Sequence, residues 1–432
     1  MKATILRGRV LSFVSEPESP EDETSFTYHE DGAVAICGGL IDACGDYSSV
    51  SANYSSANVV DHRPNLILPG FIDTHIHFPQ MQVIGSFGTK LLDWLNNYTF
   101  IEEQKFADPA HCERIANSFF DALTRHGTTT AVAYCSVHKT SAEVLFTEAE
   151  KRNLRMIAGK VMMDRNAPEA LCDTPQTSYD DSKSLIEKWH ARGRNSYAIS
   201  PRFAITSTPT QMEMAQALMR EHPGCYLQTH LSENHDEIEF TKALYQSARD
   251  YLDVYQMYDL LGPKSLFGHC IHLTDRERRA MAETRSVAVF CPTSNLFLGS
   301  GLYDFDGLKE EGVRTSVATD IGGGTSYSML KTLDEAYKIL QLRNQILSPL
   351  HSFYMMTLGN ARALSMEDKI GTMEPATEAD IVVLDACSTP QMALRMETVE
   401  TLSEELFVLQ TMGDDRSIAS VYVAGKECHP DR

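Results

Sequence analysis

The sequence has no C-x-x-C pair, although it holds 10 Cys in 432 residues. The thiols are scattered from Cys37 to Cys428, which matches neither a zinc ribbon nor a disulfide scaffold. Reduced thiols in a cytoplasmic protein are the expected state. No apolar run reaches the ~18 residues of a membrane-spanning helix. The start, MKATILRGRVLSFVSEPESPEDE, has a short apolar stretch and then turns acidic, a poor fit to a secretory leader. Positive charge is scarce. Lys plus Arg number 38 against 59 Asp plus Glu, a formal net charge of −21. Such a field repels phosphate backbones and anionic bilayers, so neither nucleic acid nor membrane is expected as a partner. A small nucleobase carries no phosphate and is compatible with it. The Gly322-Gly323-Gly324 run lacks the Lys-Ser/Thr of a phosphate-binding loop. No internal repeat or low-complexity tract is present.

What remains is an ordinary globular composition, with 43% hydrophobic and 22% charged residues, which excludes a disordered chain. At about 150 residues per domain, the length allows two to three domains, or one large barrel with an annex. Residues 2–14 read as a β-strand and 15–31 as a solvated acidic loop. Residues 32–68 hold short β-type runs. From LILPGFIDTHIHF (66–78) onward, strand-like and helix-like segments alternate. Helices are expected over 110–126, 142–152, 182–191 and 211–221, and strands over 127–135, 155–163, 197–205 and 225–230. SLFGHC, VAVFCP and VRTSVATD continue the series. Repeated strand–helix units over roughly 290 residues predict a closed (β/α)₈ TIM-like barrel. Residues 366–432 return to β character. The expected fold is therefore α/β. The barrel spans 67–365, and a small β-sandwich domain is built from both chain ends, 1–66 and 366–432.

Chemistry-bearing residues fall at strand ends. His75 and His77 sit at i and i+2 on one strand, so both imidazoles face the same way and can reach one metal. Chance predicts about 15 × 15/432, or roughly half an H-x-H, from 15 His in 432 residues, so the pair alone is weak. Placement strengthens it. His230 ends CYLQTH, His269 ends SLFGH and Asp320 ends VRTSVATD. Taken singly, His269 reads as a structural histidine, Asp320 as a helix N-cap and Cys270 as a buried inert thiol. The other 11 His read as structural or surface residues. Four strand ends converging at a barrel mouth reverse those readings. Three His and one Asp form a mixed N/O site suited to Zn²⁺ or Fe²⁺ with one position open to water. Such an ion lowers the pKa of that water towards about 7. Glu233, three residues past His230, is placed as a proton carrier that does not ligate.

PGFIDTHIHFPQ, HGTTTA, SPRFAIT, the His230-x-x-Glu233 unit, GHC and ATD together resemble the amidohydrolase superfamily in its aminohydrolase branch. Residues 86–106, KVMMDRNAPE (160–169), SPRFAIT (200–206) and THLSEN (229–234) are similar to the guanine-deaminating enzymes of that branch. The similarity covers roughly residues 65–385. The resemblance implies a single metal, usually zinc, on His75, His77, His230 and Asp320. His269 stands beside it and is sometimes counted as a ligand. It implies Glu233 as the proton shuttle, Asp320 as acceptor of the water proton, and His269 as a third catalytic group. The substrate-contacting set implied is His77, Phe78, Pro79, Gln80, Arg202, Phe203, His230, Glu233 and Asp320. A buried Arg suits a ring carbonyl as donor, and Gln80 offers both donor and acceptor. Phe203 would stack on the base. Phe78 stands where a smaller residue is common and is expected to narrow the pocket. Binuclear relatives carry a Lys on the fourth strand; 197–206 has none, and Lys160 lies on the strand before. The implied reaction is guanine to xanthine and ammonia, by a cytoplasmic homodimer with one ion per subunit. The alternatives are a deaminase or chlorohydrolase of another heterocycle, or a non-catalytic scaffold. A scaffold would have lost metal ligands, and none is missing here. The other zinc deaminase fold is excluded, because P-C-x-x-C is absent.

Overall fold

The computed structural model describes residues 3–88 and 90–428. The chain begins with β1 (Thr4–Phe13), β2 (Phe26–Cys37), β3 (Leu40–Asp46) and β4 (Asn58–Pro69). β1 and β2 pair antiparallel from Thr4↔Ile36 to Phe13↔Phe26. Residues 26–31, expected in a loop, are thus strand. Tyr28 packs against the core, and Asp31 is held by Arg7 at 2.7 Å. The intervening acidic loop is shorter than its composition suggests.

The barrel strands follow: β5 (Phe71–His77), β6 (Thr128–Tyr134), β7 (Arg155–Gly159), β8 (Val161–Met162), β9 (Asn195–Pro201), β10 (Tyr226–Leu231), β11 (Ser265–His269), β12 (Val287–Phe290) and β13 (Arg314–Val317). β5, β6, β7 and β9 to β13 lie side by side in chain order, all pairs parallel, and the two-residue β8 extends the β7 position along β9. This is the eight-stranded TIM-like barrel the alternation predicts. At the seam between β13 and β5, side-chain hydrogen bonds add to backbone ones at the mouth. Asn360 Nδ2 donates to Ile72 O at 2.6 Å and to Val317 O at 2.8 Å. Ile72, Val132, Ile157, Ala198, Leu266 and Val287 fill the lower lumen. That apolar plug forces the polar side chains of the same strands to the carboxyl-terminal mouth.

β14 (Ile381–Leu384), β15 (Ile418–Val423) and β16 (Lys426–Cys428) return to the first sheet, whose order is β16-β15-β14-β4-β1-β2-β3. Both chain ends contribute, as expected, but the strands form one continuous sheet rather than two separate ones. Its two faces are both apolar. Leu66, Leu68, Val382 and Leu384 join the main core. Ile67, Ile381 and Val383 share a second cluster with Val34, Ile36 and Ile41.

An ion cluster ties this sheet to the floor of the barrel. Arg155 and Arg194 both grip Glu378, and Arg194 also binds Asp380, whose other oxygen accepts from Ala424 N at 2.8 Å. Asp380 is 4% exposed, and burial pushes its pKa up. Arg194→Ala leaves that carboxylate without its cation, and a loss of about 3 kcal/mol is expected. Urea unfolding followed by circular dichroism checks it; an unchanged midpoint would show that the cluster does not hold the sheet.

Candidate active site

The strand ends meet as anticipated. In β5 the pairing register shifts between Asp73 and Ile76. Ile72 points into the lumen and Ile76 into the outer core; the shift leaves His75 and His77 facing inward beside His230 and His269. Asp320 follows β13 in a left-handed backbone, φ +52°, and its N–H donates to His75 O at 2.9 Å. Gly268 makes room for the His75 ring: a Cβ there would lie 2.6 Å from His75 Cε1. Gly268→Ala is therefore expected to push His75 aside and lower bound metal and turnover by roughly 10–100-fold. Metal analysis of the purified variant checks this; full occupancy would show that the ring can yield.

His75 Nε2 and His77 Nε2 each lie 3.3 Å from Asp320 Oδ1. His230 Nε2 lies 3.3 Å from His77 Nε2, and His230 Nδ1 donates to Arg202 O at 2.7 Å. A carbonyl only accepts, so the proton sits on Nδ1 and the His230 Nε2 lone pair faces the cluster. His75 Nε2 is buried and makes no hydrogen bond. A partnerless imidazole nitrogen aimed at a carboxylate and two more imidazoles fits a divalent cation. Burial drives the His77 pKa down to about 4 and that of His230 well below its usual value. For Asp320, burial is opposed and outweighed by His75 and His77, which hold it well below the carboxylate range. Neutral imidazoles and an ionised carboxylate are the protonation states that metal ligation needs. Cys291 Sγ also lies in the donor cluster with His75, His269 and Asp320, but burial keeps it a thiol.

Glu233 stands on the rim of this centre. Ser300 Oγ donates to its Oε1 at 2.8 Å, and its Oε2 lies 3.4 Å from His269 Nε2. Burial, then the nearby Asp320 charge, raises its pKa to about 8. A carboxyl held above its usual range suits a general acid. His269 is set by Asn295, whose Oδ1 lies 3.0 Å from Nδ1; its Nε2 is 3.8 Å from Asp320 Oδ2.

A pocket adjoins this centre. His77, Gln80, Arg202, Phe203, His230, Glu233, His269 and Asp320 line it, with Leu91, Trp94, Leu95 and Leu298 as apolar walls. Two expected contacts are not among the lining residues. Phe78 points outward between Phe106 and Phe119, at ring distances of 5.0 and 5.5 Å, so it does not narrow the pocket. Strand alternation explains this, because the residue after an inward His77 faces out. Pro79 is buried in the turn Phe78–Val83, which delivers Gln80 to the pocket. His75 lies behind the lining, at the metal centre.

The family model for the "Amidohydrolase family" matches residues 66–428. The chain belongs to the amidohydrolase family. This amidohydrolase is 45% identical to guanine deaminase of Escherichia coli K12, over 98% of this chain and 96% of the relative. It superposes on the solved E. coli guanine deaminase with a TM-score of 0.96, at 43% identity and full coverage of both chains. A guanine deaminase from C. acetobutylicum, solved with guanine in its active site, matches with a TM-score of 0.89 and 29% identity, over 99% of this chain and 100% of that one.

Several residues of this amidohydrolase site were not anticipated. Tyr134, paired in register with His77, stacks on its ring at 4.5 Å; it ends β6 as His77 ends β5, which was a readable signal. Glu237 caps the helix His235–Leu244 and accepts from Glu233 N at 2.7 Å. Glu103 holds Gln80 and Arg202. Lys160 plays no part in the centre. It pairs with Asp173 and donates to Val161 O, and the fourth barrel strand β9 contains no Lys. Cys270 is buried, its thiol pKa well raised, as an inert residue requires.

Proposed function

We infer that this chain hydrolyses guanine to xanthine and ammonia. The observation that carries the reading is the pocket itself. One pocket joins a three-His, one-Asp centre, the buried Glu233 and an Arg202–Gln80 pair suited to a keto-purine. The near full-length relatives named above support it, one of them bearing guanine in its active site.

His75, His77, His230 and Asp320 would hold the cation, with His269 beside it. The nitrogen–oxygen donor set favours zinc, one ion per chain, and the absence of a bridging Lys from β9 supports a single ion. When bound, the ion supplies Lewis-acid activation of water at neutral pH. The chain's own residues do the rest. Arg202 and Gln80 orient the ring by its polar edge, and Phe203 backs the base. Glu233 delivers a proton to ring N3 as water adds at C2. Asp320 takes one proton of that water and hands it to the amine; as the C2–N bond breaks, the C2 hydroxyl returns its proton to Glu233, leaving xanthine and ammonia. The apolar wall of Leu91, Trp94 and Leu298 keeps bulk water out. Gln80, Arg202 and Phe203 are thus substrate-positioning groups, and Glu233, Asp320 and His269 the catalytic ones. Atraton-bound and zinc-bound triazine hydrolases share the fold at 18% identity, which speaks for the scaffold only. A cytoplasmic homodimer completes the proposal; the free thiols are in keeping with that compartment, and no described helix is long and apolar enough to cross a membrane.

The test is product identification. Zinc-supplied protein incubated with guanine should yield xanthine and equimolar ammonia. Unchanged guanine would overturn the reading.

A further inference from the structure

Glu103 is 1% exposed, yet both of its carboxylate oxygens are used. Arg202 Nη1 donates to Oε2 at 2.6 Å, and Gln80 Nε2 donates to Oε1 at 3.0 Å. Arg202 and Gln80 line the pocket; Glu103 does not and stands directly behind them. The three side chains come from distant places. Gln80 follows β5, Glu103 ends the short helix Phe100–Glu103, and Arg202 follows β9.

The arrangement has two consequences. The first concerns the Gln80 amide. Its Nε2 is taken by the carboxylate, and its Oε1 accepts from Gly322 N at 3.2 Å. A flipped amide would set oxygen against carboxylate and NH₂ against an N–H, so only one orientation satisfies the network. The second concerns the guanidinium. It rests over the Phe100 ring at 5.4 Å, and Glu103 is the one hydrogen-bond partner of its side chain among the described residues. Its remaining N–H groups are left for whatever enters the pocket. Glu103 also neutralises the Arg202 charge, so the site presents aimed donors rather than a bare cation.

We propose that Glu103 is a positioning residue for substrate selectivity. It locks Arg202 and Gln80 into one rigid unit that recognises a ring carbonyl. This rests on the guanine reading above. A ligand with the same ring and amino group but no carbonyl gains little from that unit. 2-Aminopurine is such a ligand.

The experiment compares guanine as substrate with 2-aminopurine as competitive inhibitor, in wild type and Glu103→Gln. The variant is expected to raise the KM for guanine about 10–100-fold, with a smaller change in kcat. The Ki for 2-aminopurine should stay within about threefold, with metal content unchanged. A merely structural Glu103 would shift both constants together, and either that result or an unchanged KM overturns the proposal. If Glu103→Gln folds poorly, Arg202→Gln and the double variant replace it, because removing both partners leaves no buried charge unpaired. Adding Glu103→Gln to Arg202→Gln should then change the KM for guanine less than about threefold. A further tenfold loss would mean that Glu103 acts independently, and the proposal would fail. Wild type that binds guanine by calorimetry but does not turn it over would sink the reaction reading; the same contrast between ligands, read as binding constants, would still judge Glu103.

Discussion

Glu233→Gln is expected to lower kcat for guanine by roughly 10²–10⁴-fold while leaving the metal content at wild-type level. The side chain is 2% exposed, so an amide of equal size fills the same space. Ser300 Oγ can still donate to the amide oxygen. What is lost is the proton. Glu233 carries it because burial and the Asp320 charge raise its pKa to about 8. The sign follows. Below that pKa the acid is charged with its proton, and as pH rises through it the active form is depleted. Wild-type kcat should therefore fall on the alkaline side, and a cation beside Asp320 moves that limb to lower pH by offsetting the negative charge. In the variant the limb should vanish. Stopped-flow or steady-state rates from pH 5 to pH 10 (a span of roughly the Glu233 value on either side) measure both features. A variant that keeps near wild-type kcat with the same alkaline limb would remove Glu233 from the chemistry.

Asp320→Asn should cost both turnover and metal. Asp320 is the single carboxylate of the donor set, with His75 and His77 both 3.3 Å away. The neutral amide loses the charge that a divalent cation needs in a buried site. It also removes the base that takes a proton from water. Turnover is expected to drop by roughly 10³-fold or more, about 4 kcal/mol, and bound zinc to fall with it. Elemental analysis and activity on the same sample separate the two losses. Full zinc with full activity would show that the three histidines suffice.

The fold and the centre were largely legible because they obey simple periods. Strand–helix alternation fixed the barrel, and polar residues at the ends of apolar runs could face only its mouth. The departures have local causes. The helices Pro109–Arg125, Lys139–Arg152, Pro175–Trp189 and Pro209–Glu221 begin one to seven residues before the starts expected at 110, 142, 182 and 211. Three of them open on Pro after an Asp or Thr cap, a start written in polar residues. The expected strand 155–163 breaks at Lys160, whose side chain turns to Asp173. Within 366–432, the helices Pro390–Met396 and Leu402–Met412 interrupt the β character. The second is announced by the Thr401/Glu404 capping box.

The pocket was less legible than the metal centre. The family resemblance predicts that Phe78 narrows the pocket, whereas alternation places it in the core. Glu103 lies 99 residues from Arg202 in an irregular run of short helical turns. No periodicity marks it, and only the folded pocket shows that its two oxygens serve two different walls.

The most direct measurement is a parallel assay of guanine, adenine and cytosine with purified, zinc-replete protein, following ultraviolet absorbance and ammonia release. The account predicts that guanine alone is converted, because the Arg202–Gln80 unit is built for a keto-purine and the amine to be expelled sits at C2. Conversion of adenine or cytosine with guanine untouched would contradict it, leaving the barrel and its centre but refuting the pocket that gives them a substrate.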